Sequence, residues 1–347
     1  MVSLKDIAEK VGLSITTVSV VLNDKADERG IALATRKRII EAAQEMGFQP
    51  NMHARALRMG RSNLVGIVGV NLDFPIPLMG VRSAIRALHD HGYNIALHDF
   101  AWGSKDQNRQ IREISGKHAD GLIAITPGDG GIDILRLLAA NTPIVTIDDW
   151  GIPGVDVVTV DREVGAYQAT RHLISLGHRR IALAVAGDTS SKPLVARVRG
   201  YRRAHAEAGV PVDESLFISP AEDFSVFKDG LEIIPRVLAH PSKPTALFCS
   251  NDLVAIGAMR ALYEAGKRVP DDLALVGFDG IVEAEYTVVP LTTVAQPMAE
   301  VVEAAVVLLM ERLDNKDKDL PSRYVSIPSR LVVRRSCGAG NTAAFLS

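Results

Sequence analysis

The amino-acid sequence predicts a small all-α head followed by a larger α/β core made of two doubly wound parallel-sheet lobes. In the first 49 residues, apolar side chains recur at helical spacing. From Leu64 onward, short apolar runs rich in β-branched residues alternate with helical stretches, which is typical of parallel strands buried on both faces. This series restarts near residue 180, so we expect two similar lobes of roughly equal size.

Length and composition bound the class of protein. A chain of 347 residues fits two or three domains, and 47% apolar with 23% charged residues is an ordinary soluble composition. The charged start MVSLKDIAEK is no secretory signal, and no uncharged apolar run reaches the ~18 residues of a membrane span. Cys249 and Cys337 lie far apart, which indicates a reducing cytoplasm and no structural metal. We expect a cytoplasmic protein without metal or cofactor.

Charge is distributed unevenly between the two regions. Residues 1–62 hold ten Lys and Arg against seven Asp and Glu, a net charge of +3. The remainder holds 29 basic and 34 acidic residues, a net charge of -5. A basic head on an acidic body favours a polyanionic partner for the head only.

The head is predicted to contain three short helices over residues 4–10, 15–22 and about 33–46, with Gly12 and Gly47 where helices end. After Pro50, the segment NMHARALRMGRS is a further helical candidate that Asn51 caps and Gly60 stops. Its high polar content indicates a linker that becomes ordered only against a partner.

The first two helices carry the spacing Ala-x3-Gly-x5-Val at Ala8, Gly12 and Val18. A small residue lets two helices cross closely, glycine supplies the positive φ of a tight turn, and valine fills the space between them. With Ser14 as the N-cap of the second helix, this is the geometry of a helix-turn-helix. An ordinary helical hairpin has the same spacing, so the spacing alone leaves both alternatives open.

The outer face of the second helix favours the helix-turn-helix. It is centred on Thr16 and Val20 and flanked by Thr17 and Ser19, so it is rich in hydroxyls and free of charge within a basic domain. A β-branched hydrocarbon at Val20 stands where solvent would otherwise be, which indicates a surface that meets a partner.

The strands of the core are predicted over residues 64–70, 94–100, 121–126, 143–148, 180–187, 245–250 and 273–279. In such sheets, ligands bind beyond the carboxyl ends of the strands. The site candidates are therefore the residues that follow these runs: Phe74, Trp102, 127–131, 148–150, 250–252 and 278–279.

Several segments resemble the LacI/GalR family of bacterial transcriptional repressors, and they follow the order of that family along nearly the whole chain. The resemblance lies in LKDIAEKVGLSITTVSVVLN, TRKRIIEAAQEMGFQPNMHARALRMGRSNLVGIV, HLISLGHRRIAL, RVRGYRRA, SNDLVAIGAMRALYEAGKRVPDDLALVGFDG, PLTTVAQP and SRLVVRRSC. It implies a dimeric DNA-binding head, a hinge helix and a core related to periplasmic sugar-binding proteins.

The resemblance also implies domain boundaries. We expect a helix-turn-helix domain at 1–49, a hinge at 50–62, an effector-binding core at 63–338 and a tail at 339–347. The amino lobe is expected at about 63–161 and 292–324, and the carboxyl lobe at about 162–291 and 325–338. Since the tail GAGNTAAFLS has no heptads, a homodimer is expected rather than a tail-zippered tetramer.

For the head, the resemblance implies that Ile15, Thr16 and Val20 face bases in the major groove of a pseudo-palindromic operator. Thr17, Ser19 and Asn23 are implied to contact phosphates. Family members often carry arginine at the position of Val20, so the usual bidentate guanine contact is lost and a thymine methyl becomes its natural partner.

In the hinge, Leu57 matches the family's lever leucine, which wedges between base steps in the minor groove. Ala54 lets paired hinge helices approach, and Arg55 is basic beside them. A flexible interdomain linker is the alternative for this segment.

For the core, Arg197 and Asp252 match the family's polyol-gripping positions, and Phe224 matches its stacking aromatic residue. Further effector-binding candidates follow strand ends: Asp148, Trp150, Phe74 and Asp279. The segment NLDFPIPLMG after the first core strand departs from the family pattern, which leaves the amino-lobe half of the site open.

The sequence therefore predicts a ligand-responsive transcriptional regulator in the bacterial cytoplasm, associated with the nucleoid. We expect a repressor of carbohydrate-utilisation genes that a sugar-type effector releases. A co-repressor mode with a purine or nucleoside stays open. A cytoplasmic sugar-binding protein is disfavoured by the basic head, and an enzyme by the absence of a nucleophile-base pair or metal ligands.

Overall fold

A computed structural model describes residues 2–23, 26, 29–48, 61–70, 72, 74–99, 119–125, 128–185, 191–220, 226–315 and 320–339. The chain divides into two compact units, Met1–Ser62 and Asn63–Ser347, which we call the head and the core. Most of the expected hinge helix and the tail from residue 340 lie outside the described residues.

The head consists of the helices α1 (Leu4–Val11), α2 (Ile15–Leu22) and α3 (Leu33–Glu45). A capping box between Ser3 and Asp6 starts α1, and Gly12 ends it with a φ of 63°. The Ser14 hydroxyl caps α2 by accepting a hydrogen bond from the Thr17 backbone N–H at 3.1 Å. The predicted cap at Ser14 and glycine turn at Gly12 are both confirmed.

One apolar cluster holds the three helices of the head together. Ile7 of α1, Val18 of α2 and Ile39 of α3 are all fully buried, and Ala8 lies beside them. Burial of each large side chain contributes about 1.5–3 kcal/mol. The valine that was predicted to fill the helix crossing therefore does so.

The core is built on two sheets, each with six strands in the described part of the chain. The strands of the amino lobe are β1 (Leu64–Val70), β2 (Asn94–Asp99), β3 (Gly121–Ala124), β4 (Ile144–Ile147), β5 (Asp156–Asp161) and β11 (Tyr324–Pro328), in the order β11-β5-β4-β3-β1-β2. Those of the carboxyl lobe are β6 (Ile181–Ala184), β7 (Phe217–Ile218), β8 (Ala246–Cys249), β9 (Ala274–Asp279), β10 (Thr292–Ala295) and β12 (Arg330–Val332), in the order β12-β10-β9-β8-β6-β7. Every pairing is parallel except β10 with β12.

Helices cover both faces of each sheet. The helices of the core are α4 (Pro75–Asp90), α5 (Gly128–Leu138), α6 (Arg162–Ser175), α7 (Lys192–Glu207), α8 (Val226–Ala239), α9 (Asp252–Glu264) and α10 (Met298–Asp314). In the amino lobe, α4 and α10 pack on one face and α5 on the other. In the carboxyl lobe, α8 and α9 share one face and α6 and α7 the other. The predicted class of two doubly wound lobes is confirmed. No helix in the described segments is long and apolar enough to cross a membrane.

The predicted lobe boundaries at 292 and 325 are wrong. Strand β10 pairs with β9 and so belongs to the carboxyl lobe, and β11 pairs with β5 and so belongs to the amino lobe. Both strands are short and carry Thr or Ser, so they lack the long apolar run by which the other strands were recognised. The chain changes lobe at 296–297 and 328–329.

The three connections between the lobes pack against one another. The Ser329 hydroxyl donates a hydrogen bond to the Asp161 carbonyl at 2.7 Å. A Cβ on Gly165 of α6 would lie 2.2 Å from Ser329 Oγ and 2.5 Å from a methyl carbon of Val294, so only glycine fits there. We call this region the lobe crossing.

Candidate DNA-recognition helix and effector site

The outer face of α2 exposes hydrocarbon. Ile15 is 48% exposed, Thr16 is exposed and Val20 is half-buried. Val18 and Val21 point the other way into the head's core. The exposure of Ile15, Thr16 and Val20 is compatible with contact to bases, which stays a prediction.

The polar groups of α2 that were predicted to contact phosphates have partners within the helix. Thr17 Oγ1 lies 2.8 Å from Ser14 Oγ. Asn23 Nδ2 donates to the Ser19 carbonyl at 2.6 Å and to Ser19 Oγ at 3.3 Å. These bonds order both ends of α2. The hinge candidates Ala54, Arg55 and Leu57 lie outside the described residues.

In the core, charged side chains gather where β4 and β9 end and α6 and α7 begin. Arg162, the first residue of α6, donates two hydrogen bonds to the Asp148 carboxylate, at 2.6 and 2.8 Å. Thr159 Oγ1 donates a third at 2.7 Å. Asp148 belongs to the amino lobe and Arg162 to the carboxyl lobe, so this bidentate pair joins the two lobes.

Arg197 of α7 lies in the same cluster. Its guanidinium is 4.1 Å from the centroid of the Phe278 ring, and Nη2 is 3.5 Å from Asp279 Oδ1. The side chain is only 9% exposed. Burial lowers its pKa to about 10, although the carboxylate of Asp279 opposes that shift. Arg197 therefore remains a cation at neutral pH.

Asp279 ends β9 with an unusual backbone φ of 125°. Its Oδ1 accepts a hydrogen bond of 2.7 Å from Gln296 Nε2, a residue of the lobe crossing. Burial raises the pKa of Asp279 to about 6, while the nearby Arg197 acts in the opposite direction. The left-handed backbone turns this carboxylate towards Arg197 and Gln296.

Asp252 binds the backbone of the loop that follows Asp279. It is fully buried, and its Oδ2 accepts from the backbone N–H groups of Gly280 and Ile281 at 2.8 and 2.9 Å. Its Oδ1 accepts from Thr293 Oγ1 at 2.5 Å. Burial first, and then the charge of Asp279, raise the pKa of Asp252 to about 8. The contacts make Asp252 a residue that fixes the loop after β9, and its direct contact with a ligand stays a prediction.

Two buried polar atoms of this cluster find no hydrogen-bond partner among the described residues. They are the donor Arg197 Nε and the acceptor Gln296 Oε1. An unpaired buried polar group costs about 1–3 kcal/mol. Both atoms belong to side chains that contact Asp279, so the cluster offers a donor and an acceptor close together.

The remaining predicted effector residues are placed less centrally. Trp150 Nε1 donates to the Ile147 carbonyl at 2.8 Å, and the residue packs against the amino-lobe core. Phe74 is half-buried at the N-cap of α4. Phe224 lies outside the described residues. A role for any of these rings in binding stays a prediction.

Two polar residues of the cluster, Arg162 and Gln296, were not among the predicted site residues. Arg162 directly follows β5 and Gln296 directly follows β10, but neither of these two strands was among the predicted ones. Both residues lie where the chain passes between lobes. A signal for Gln296 was present in the motif PLTTVAQP, which carried the family resemblance. Among the described residues, no group of three or more His, Cys, Asp or Glu side chains is arranged to hold a metal ion.

A helix-turn-helix head joined to a two-lobed α/β core defines a DNA-binding regulator. Residues 3–51 match the model for bacterial regulatory proteins of the lacI family, and residues 170–337 match a periplasmic binding protein-like domain. The chain belongs to the LacI family of bacterial transcriptional regulators and is not an enzyme.

Curated relatives align along nearly their whole length. The HTH-type transcriptional repressor PurR of Photobacterium profundum is 32% identical over 339 residues, covering 97% of this chain and 98% of the relative. The HTH-type transcriptional regulator DegA of Bacillus subtilis is 33% identical over 344 residues, covering 98% and 99%.

Solved structures are similar as well. The lac repressor dimer bound to operator and the anti-inducer ONPF has a TM-score of 0.81 at 26% identity, covering 97% of this chain and 99% of that one. The complex of the transcriptional regulator CelR with cellobiose has a TM-score of 0.71 at 29% identity, covering 97% and 100%.

Proposed function

We propose that this regulator is a homodimer that represses carbohydrate-utilisation genes and that a neutral, sugar-type effector releases it from its operator. The observation that carries the proposal is a pair of buried atoms beside Asp279, the donor Arg197 Nε and the acceptor Gln296 Oε1, that have no hydrogen-bond partner in the part of the chain that the structure describes. A hydroxyl group both donates and accepts hydrogen bonds. A polyhydroxylated ligand would therefore satisfy both atoms and the Asp279 carboxylate together.

The charge of the cluster supports a neutral ligand. Arg162 pairs with Asp148 and Arg197 with Asp279, so these four side chains balance one another. A buried anion such as a sugar phosphate would add a charge without a matching cation, which is costly. A neutral sugar brings no such charge.

Contacts between the two lobes support a coupling of effector binding to operator release. Two ion pairs join the lobes beside the cluster, Arg162 with Asp148 and Lys192 with Asp149. A ligand that contacts both lobes favours one orientation of the lobes, provided that its contacts differ between the two states. In the operator complex, two heads would read half-sites of a pseudo-palindrome while paired hinge helices occupy the minor groove between them.

A purine or nucleoside co-repressor is the second candidate. It is favoured by the similarity to the HTH-type transcriptional repressors PurR and by the side-by-side carboxylate and amide of Asp279 and Gln296. Such acceptors also suit the donor groups on the edge of a purine base.

The test is operator binding in the presence of defined ligands. DNA selection with the full-length protein identifies an operator, and fluorescence anisotropy at one salt concentration then measures its affinity with neutral sugars, sugar phosphates, nucleosides and purines. Release by a neutral sugar supports the proposal. Tightening by a purine supports the second candidate, and release by sugar phosphates alone contradicts the argument from charge.

A separate experiment tests the hinge. Leu57→Ala should sharply weaken specific operator binding, because the leucine wedge helps to hold the duplex bent. Salt-sensitive binding to unrelated DNA should be nearly unchanged. Equal loss of specific and non-specific binding would argue against a lever at Leu57.

A further inference from the structure

The surface that α2 presents contains no charged or amide side chain. Its sequence is ITTVSVVL, so it lacks the Arg, Lys, Asn and Gln side chains that pair bidentately with guanine or adenine. In a helix-turn-helix, the N-terminal part of the second helix lies against base edges in the major groove. The edges must therefore be distinguished by another kind of contact.

Most of the hydrogen-bonding groups near this surface are already engaged. Thr17 Oγ1 pairs with Ser14 Oγ, and the Asn23 amide donates to Ser19. What faces outward is Ile15, which is 48% exposed, together with exposed Thr16 and half-buried Val20. These three side chains present methyl groups and, among them, a single hydroxyl.

We propose that α2 recognises its half-site through the 5-methyl groups of thymine, so that specificity beneath Ile15, Thr16 and Val20 comes from apolar contact rather than from hydrogen bonds to guanine. This inference rests on the head binding operator DNA through α2. The thymine methyl is the hydrocarbon group that base pairs display in the major groove. Covering it against the exposed Ile15 or the half-buried Val20 removes apolar surface of both partners from water.

A contact of this kind predicts how modified bases behave. Uracil differs from thymine only by the missing methyl, so each replaced thymine beneath α2 should weaken binding about fourfold, as expected for one buried methyl-sized group. Cytosine at the same position lacks the methyl and should bind weakly. Its 5-methyl derivative restores the methyl but keeps the hydrogen-bonding pattern of cytosine, so it should regain part of the lost affinity.

The experiment uses the full-length protein and an operator obtained by DNA selection. Each thymine of one half-site is replaced in turn by deoxyuridine, and then by cytosine or 5-methylcytosine with guanine opposite. Affinity is measured by fluorescence anisotropy at one salt concentration. Uracil at thymines flanking the operator is the matched control, and it should leave the affinity unchanged.

A protein variant assigns the contact to a residue. Val20→Ala should weaken binding to the thymine operator, and at one thymine position the further effect of uracil should disappear. Thr35→Ala, in the first turn of α3, is the control that should keep the full uracil effect. Binding to unrelated DNA checks that each variant head is folded.

The outcomes distinguish a failure of the methyl contact from a failure of operator recognition, on which it rests. A selection that enriches no sequence overturns operator recognition, and the methyl contact with it. A selected operator that ignores uracil throughout both half-sites, or that requires guanine beneath Val20, overturns the methyl contact alone. A fourfold uracil effect that 5-methylcytosine mimics supports it.

Discussion

Folded proteins usually bury hydrocarbon and expose charge. The outer face of α2 departs from the first rule, and the charged cluster at the lobe crossing departs from the second. The helix leaves Ile15 exposed and Val20 only half-buried, whereas the cluster buries two guanidiniums and the carboxylates that balance them. Both arrangements cost stability in the isolated chain, because apolar surface favours burial and charge favours water. In each case a partner would supply what is missing: hydrocarbon for the helix, and hydroxyl groups for the cluster.

The largest expected effect is at Arg197 of the buried cluster. Arg197→Ala leaves the Asp279 carboxylate buried without its cation, and truncating one partner of such a pair costs about 2–5 kcal/mol. We expect the effector response to be lost, with effector affinity reduced roughly thirtyfold or more and operator affinity nearly preserved. Isothermal titration and anisotropy measure the two affinities.

The matched control lies on the same helix. Arg199 is exposed and pairs with Glu163, so Arg199→Ala should keep the response. An unaltered response in Arg197→Ala would show that Arg197 is not part of the effector site. The buried cluster would then not be a surface that a ligand completes.

The next effect concerns pH. Burial raises the pKa of Asp279 to about 6; above that pH the ionised carboxylate attracts Arg197 and accepts from a ligand hydroxyl, and below it protonation removes both interactions. Effector affinity should be level near pH 7 and should fall towards tenfold per pH unit below about 6. Titration calorimetry from pH 5 to 7.5 measures this.

Asp279→Asn provides the control for the pH series. The amide cannot titrate, so binding should be weaker at neutral pH and the further fall below about pH 6 should be absent. If the wild-type affinity stays constant down to pH 5, the ligand does not depend on the ionised Asp279.

A smaller effect is expected in the head, where the helix is held by its cap rather than by charge. Ser14→Ala removes the hydrogen bond to the Thr17 N–H and the contact with the Thr17 hydroxyl, at a cost of about 1 kcal/mol. Hydrogen exchange followed by mass spectrometry should show faster exchange in α2. Ser3→Ala, which weakens the cap of α1, should affect chiefly that helix, and equal changes in both helices would indicate loss of the whole head.

The smallest effect is expected for the exposed ion pair between the lobes. Lys192 Nζ contacts Asp149 Oδ2 at 2.9 Å, and exposed pairs contribute about 0.2–1 kcal/mol. Lys192→Ala and Asp149→Ala should each change effector affinity less than about fivefold, and the double variant should differ little from either. The exposed pair Arg260 with Glu264, within α9, is the control and should have no effect on binding.

The sequence predicted most of the fold because its periodic segments were long. The head helices and the strands with continuous apolar runs were recognised, but β5, β7 and the strands after residue 290 were not among the predicted strands. Strand β11 alternates half-buried and exposed residues at the sheet edge, so its sequence shows no run of apolar residues. Its place depends on pairing with β5, which local sequence does not reveal.

The positions of the carboxylates in the candidate effector site could be predicted from the topology of parallel sheets. The carboxyl ends of the parallel strands of one sheet share an edge. Asp148 lies at that edge of the amino-lobe sheet and Asp279 at that edge of the carboxyl-lobe sheet, and both are near Arg197. The sequence could not show that the Asp148 carboxylate is engaged by Arg162, or that Asp252 holds a loop. The pair of Arg162 with Asp148 exists only after both lobes have folded. The partners of Asp252 lie on the loop after β9 and on β10, and they meet it only when the carboxyl lobe has assembled.

Because the chain crosses back to the amino lobe after β10, late segments complete a sheet that begins early in the sequence. This topology sets the order in which the parts of the protein can fold on the ribosome. Among the described residues, the apolar cluster of the head uses none beyond Phe48, so this part can fold soon after it emerges. The amino lobe must wait for Val301, Val302 and Leu309 of α10 to cover its sheet and for β11 to pair with β5. From the synthesis of β5 until that of α10, the nascent chain therefore carries a finished head and an amino-lobe sheet with one face only partly covered, by α4. A chain that stops before Met298 would have a folded head and would be a substrate for chaperones and proteases.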